Sequence, residues 1–173
     1  MSEAWTDIVK LHELARGPVS VKLEANEAQR AKIARDLALK SLPSLSAEVT
    51  VRPWLDGAEL SGRFRAVVEQ ICGVTLEPFE QPLRGDIEIR VVPAGSPHAR
   101  PDEEGDVELD MESPDPPDVL ESDSIDVAAY VVEHLALEID PFPRKPGAEF
   151  DYQPPPEEMS PFAVLKKLQD PEA

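Results

Sequence analysis

Apolar and polar positions alternate with a period of two over several stretches of this chain and with a helical period over two others. That combination predicts an α+β fold. From Pro18 to Glu24, Val19, Val21 and Leu23 fall on one side and Ser20 and Lys22 on the other, the pattern of a half-buried strand. Asn26 then stands where a helix N-cap belongs, with Gln29 three residues on to complete a capping box. The helix is predicted to run to about Lys40, with Ile33, Ala34, Leu37 and Ala38 inward and Pro43 closing the segment. Alternation returns at Ala47–Val51, at Ala58–Ala66 and at Ile87–Val91, with an Asp56-Gly57 turn signal between the first two. Pro53 marks an edge strand or a bend. Val107, Leu109 and Met111 are spaced to add a short strand. Residues 94–105 and 112–123, rich in Pro, Asp, Glu and Ser, read as mobile loops. Asp126 caps the clearest helix, with Ile125 before it as a staple and Ala129, Val132, Leu135, Ala136 and Ile139 as its inner stripe. Residues 146–158 form a Pro-rich linker, and Ser160-Pro161 opens a short amphipathic segment bearing Phe162, Leu165 and Leu168. The expected architecture is a mostly antiparallel sheet with two main helices on its apolar face. One domain spans residues 1–145, with a flexible acidic loop at 102–123, and residues 146–173 form an appendage.

Composition sharpens this picture through where the charge lies. The net charge is −18, yet residues 1–101 hold 14 acids and 13 bases, whereas residues 102–123 hold 11 acids and no base. The folded body is therefore nearly neutral, which lifts the objection that strong acidity raises against RNA without favouring it. A hydrophobic content of 41% supports a real core, while 19 prolines and 5% aromatics indicate that part of the chain stays outside it. No stretch approaches the ~20 apolar residues of a membrane span. The first residues carry neither a basic start nor an apolar run of signal-peptide length, so the expected location is the cytoplasm, with no membrane partner.

Little of the candidate chemistry assembles. His12, His98 and His134 are scattered, and no zinc-hydrolase, nucleophile-elbow or phosphate-loop motif occurs. Cys72 is the only cysteine; it ends an apolar run and reads as buried and inert. The acidic run lacks the Gly-centred spacing of a calcium loop. The expectation is a protein without catalytic residues, metal or cofactor, acting by contact. Arg52, Arg63, Arg65 and Arg90 lie on the polar faces of neighbouring strands, where Glu48, Glu59 and Glu88 also lie, so cross-strand ion pairs compete with an RNA-binding strip. Trp54 is the one aromatic placed to stack a base there. The acidic loop suits a basic protein partner. The terminal segment suits a groove, either its own domain's or a partner's.

Two stretches in order resemble the signatures of the YceD family. Cys72-Gly73-Val74-Thr75-Leu76-Glu77-Pro78 is similar to a Cys-x-Arg-Cys-Leu-x-Pro motif. Ser124-Ile125-Asp126-Val127, followed by Glu133-His134-Leu135-Ala136-Leu137 and Pro141, is similar to the second signature. Asp140 to Gly147 and Ser160 to Ala163 resemble one bacterial subgroup, and the likeness covers most of residues 20–170. It implies a role in synthesis, processing or stability of large-subunit ribosomal RNA, with no established catalysis. Val74 and Thr75 stand where the motif has arginine and a second cysteine, so a cysteine pair is impossible here. Cys72, Leu76, Glu77, Pro78, Asp126, Glu133 and Leu137 are the carried-over positions. Cys72 and Leu76 are expected to pack inward, and Glu77 and Glu133 to make contacts with a partner or with RNA.

Overall fold

A computed structural model of the chain describes residues 5–99 and 116–150. Seven strands and two α-helices occur among them, in an α+β arrangement dominated by antiparallel pairing. Strands β2 (Val19–Glu24), β3 (Ser41–Trp54), β4 (Gly57–Ile71), β5 (Pro78–Pro93) and β6 (Asp118–Leu120) form one sheet in that order. All neighbours are antiparallel except β5 and β6. A separate two-stranded ladder joins β1 (Ile8–Lys10) to β7 (Ser124–Asp126). A 3-10 helix, Leu11–Arg16, follows β1 and buries Leu14.

The helices α1 (Glu27–Asp36) and α2 (Val127–Glu138) pack on the apolar face of the large sheet. Ile33 and Ala34 of α1 and Val127, Ala128, Val131 and Leu135 of α2 meet Val21, Leu23, Val49, Val51, Leu60 and Phe64 in one core. The capping box of α1 is complete: Gln29 N–H donates to Asn26 Oδ1 and Asn26 N–H to Gln29 Oε1, both at 2.9 Å. Asp126 caps α2 by accepting from the N–H groups of Ala128 (3.1 Å) and Ala129 (3.3 Å). A cap of this kind stabilises a helix by about 1 kcal/mol. The same carboxylate accepts from Asp7 N–H at 3.1 Å, which ties the N-terminal ladder to the start of α2.

Several sequence expectations are corrected. Helix α1 stops at Asp36 rather than near Lys40, because Ala38 turns into the left-handed region (φ 54°) and Lys40 N–H already donates to Glu69 of the sheet. Ala38 is consequently exposed. Pro43 does not close a segment; it sits in β3 at a register shift between Ser41 and Ser44. Pro53 lies in β3 as well, beyond the Ser46–Val51 stretch that β2 pairs with, so no donor is missed by that neighbour. The β3–β4 turn is Leu55-Asp56, one residue earlier than the Asp56-Gly57 signal, since Trp54 and Gly57 are already partners. Gly57 serves packing instead: a Cβ there would lie 1.9 Å from the Val91 carbonyl oxygen. The inner stripe of α2 is also shifted. Ala129 and Ala136 are exposed and Val131 is buried, because the first two turns are apolar all round and offer no polar position to set the phase. The acidic segment is not loop throughout, since Asp118–Leu120 is β6, paired with Val91–Pro93. The expected strand at Val107–Met111, most of the acidic loop and the terminal segment lie outside the described residues.

Candidate functional site

The face of the sheet opposite the helices has no covering element among the described residues, and the strand register lays its side chains out in cross-strand rows. One row is Arg52–Glu59–Arg90. Glu59, whose side chain is only 13% exposed, accepts from Arg52 Nε at 2.7 Å and from Arg90 Nε at 3.2 Å. The hydrogen bonds from Arg90 and then Arg52 hold its carboxyl below the ordinary glutamate range. Arg90 also lies over the Trp54 ring, 5.2 Å from its centroid, so the aromatic expected to stack a base is already covered by a guanidinium. A second row is Lys22–Glu48–Arg63–Asp86, in which Glu48 meets Lys22 at 3.5 Å and Arg63 at 3.7 Å.

The row beyond it is different. Arg65 faces Arg84 directly across the β4–β5 ladder and Ser46 across the β3–β4 ladder. Neither guanidinium has an ion pair or hydrogen bond to a described residue. Like charges in direct opposition on adjacent strands are unfavourable. Both side chains line an open depression together with Ser44, Ser46, Arg63 and Asp86. Of the four arginines that the alternation singled out, Arg52, Arg63 and Arg90 are thus engaged by described residues, and Arg65 is not. Arg84 was missed, because Pro78, Pro82 and Gly85 hide the strand character of residues 78–86.

A second surface lies where β6 meets α2. Asp118, Val119, Tyr130 and Glu133 line an open depression there. Burial, with the Asp118 and Glu133 carboxylates close by, pushes the Tyr130 phenol up to about 12. Val119 is 51% exposed. Glu133, one of the carried-over positions, therefore lies on an acidic shoulder with Asp118, which belongs to the acidic run the sequence marked, and beside Tyr130, which the sequence pattern did not mark.

The first signature stretch forms the β4–β5 connection and is bound to the segment after α2. Cys72 is fully buried, and its sulfur accepts from the N–H groups of Val74, Thr75 and Lys145, each at 3.4 Å. The Thr75 hydroxyl and these N–H groups pull the thiol down to about 6 against the opposing effect of burial. Gly73 N–H donates to Pro143 O at 2.9 Å, and Glu77, exposed, pairs with Lys145 at 2.9 Å. Leu76 contradicts the expectation of inward packing: it is 75% exposed with φ 59°, since its N–H donates back to Cys72 O and turns the side chain outward. Leu137 is likewise exposed, on the outer face of α2. Phe162, Leu165 and Leu168 fall outside the described residues. Among the described residues, no three His, Cys, Asp or Glu side chains are grouped to hold a metal ion, and no helix is long and apolar enough to cross a membrane.

A family model described as large ribosomal RNA subunit accumulation protein YceD matches residues 60–169. No curated protein and no solved structure matches the chain. The matched span begins within β4 and contains β5, β6, β7 and α2, so it takes in both signature stretches, the acidic shoulder and the Arg65–Arg84 row. The chain belongs to the YceD family of large ribosomal RNA subunit accumulation proteins.

Proposed function

We propose that this protein is a cytoplasmic, non-enzymatic accessory factor in the accumulation of large-subunit ribosomal RNA, and that it works by holding a basic ribosomal or assembly protein on its acidic shoulder. The observation that carries this reading is the pair of carboxylates, Asp118 and Glu133, set beside the half-buried Tyr130. Carboxylates that already disfavour a further negative charge nearby favour a lysine or arginine at the same place. The neighbouring segment adds Glu121 and Asp123, and residues 102–115 add eight more acids with no base. Complementary charge of this density speeds encounter and sharpens discrimination between partners more than it deepens affinity.

The test is capture of basic large-subunit proteins by the purified full-length chain after nuclease treatment, at low and at moderate salt. The Asp118→Lys/Glu133→Lys double variant is expected to lose capture at least tenfold, and wild-type capture to weaken as salt rises. Capture that is equal in wild type and in a double variant with the same melting temperature removes the shoulder from the account. The contribution of the acidic segment is tested by replacing the acids between Asp102 and Asp115 with Asn and Gln. Excising residues 102–123 would also remove β6, so loss of capture there would follow from a damaged sheet edge.

A further inference from the structure

We propose that Arg65 and Arg84, with the hydroxyls of Ser44 and Ser46 in the same depression, form a binding site for the phosphodiester backbone of RNA on the open face of the sheet. This goes beyond the acidic-shoulder reading and does not depend on it, because α2 covers the opposite face of the same sheet.

The case rests on a contrast within that face. Lys22 and Arg63 share Glu48, and Arg52 and Arg90 share Glu59, so each of those cations has a carboxylate partner on this face. Arg65 and Arg84 are opposed to each other in an open depression that Asp86 also lines, with no carboxylate of the described residues bonded to either. Two arginines on directly opposed positions of an antiparallel ladder have Cα atoms roughly 4.5–5.5 Å apart. Their planar forks can therefore grip one phosphate from two sides or hold two neighbouring phosphates, and a bound anion removes the repulsion between them. The nearest aromatic on this face, Trp54, is covered by Arg90, so the site offers charge and hydrogen bonds without a platform for stacking bases. Such a site holds RNA through its backbone and with little sequence preference.

The experiment uses the full-length protein and a labelled single-stranded fragment of large-subunit ribosomal RNA, with fluorescence anisotropy read across a salt series. Wild type is expected to bind with an affinity that falls as salt rises. The Arg65→Gln/Arg84→Gln double variant is expected to bind at least tenfold more weakly and to lose about 1.4 from the slope of log K against log salt, the value for two phosphate contacts on a single strand. A control removing the same charge elsewhere, Arg16→Gln/Lys40→Gln, is expected to change affinity by less than threefold. Because both arginines are exposed and mutually repelling, the double variant is expected to melt no lower than wild type, which separates loss of the site from loss of the fold. Three results overturn the proposal: no RNA binding by wild type, equal loss in the control and the double variant, or an unchanged slope in the double variant. Poly-glutamate that binds to the Arg65–Arg84 row while RNA does not would also overturn it, by assigning the row to an acidic protein. Failure of basic-protein capture by the shoulder variants leaves this measurement untouched, so the two readings stand or fall separately.

Discussion

Three backbone N–H groups point at a single sulfur atom, and two of them belong to the same short loop as the cysteine. The Val74 and Thr75 donors shape the turn between β4 and β5, while the Lys145 donor comes from a segment 73 residues away. Cys72 is thus the point at which the first signature stretch is bound to the chain that follows α2. Its complete burial keeps reagents out. Replacing it with alanine leaves those donors without their acceptor and opens a small cavity, at a cost of about 1–3 kcal/mol. Urea unfolding of Cys72→Ala is expected to show a lower midpoint with an unchanged slope, and native wild type is expected to resist alkylation until it unfolds. A Cys72→Ala midpoint equal to wild type would show that the loop is held without the sulfur's three contacts.

At the scale of elements, the ladder through β3, β4 and β5 is the main structure on which the open face is built, and Glu59 is held on it between two arginines. A carboxyl whose folded value is depressed stabilises the fold above its unfolded value and loses that contribution as pH falls through the folded value. The stabilisation by Glu59 is therefore intact at neutral pH, begins to fall near about 4.3, the ordinary glutamate value, and is gone only below the lowered value of the folded state. The Glu59→Gln variant is expected to unfold at lower urea than wild type at pH 7, with the gap narrowing toward pH 3; a gap independent of pH would assign the loss to packing. Much of this ladder was legible in the alternation at 47–51, 58–66 and 87–91, and both helix caps were legible at Asn26 and Asp126. What the pattern could not show has physical causes. Prolines read as breaks, yet Pro43 lies at a register shift and Pro82 in a part of β5 that β6 does not reach. The continuation of β5 back to Pro78 was hidden for that reason, and Arg84 with it. Helix α2 is apolar on nearly every side in its first turns, so only packing against β5 and β4 decides which row is buried. Leu76 faces out because a hydrogen bond in its own loop outweighs the burial of its side chain.

At the scale of the whole molecule, the question is whether repulsion among carboxylates or attraction across the sheet dominates the response to salt. The attractive side is modest: the Glu48 pairs with Lys22 and Arg63 involve side chains at least 57% exposed, and pairs of this kind contribute about 0–1 kcal/mol each. The repulsive side carries a net charge of −18, of which residues 102–123 supply 11 acids with no base. That segment lies between β5 and β7 in the chain and includes β6. Self-repulsion of this size destabilises a compact state and is screened when the Debye length shortens from about 10 Å at 0.1 M to about 3 Å at 1 M. Salt is therefore expected to stabilise the protein, with the melting temperature rising by roughly 2–4 °C for each 1 kcal/mol of relief in a chain of this length. Differential scanning fluorimetry across a sodium chloride series checks this. The same series on a variant with the acids of residues 102–115 neutralised is expected to give a flatter rise from a higher starting point. A melting temperature that falls with salt in both proteins would mean that the cross-strand pairs outweigh the acidic segment, and that the charge of this chain acts mainly inside the sheet.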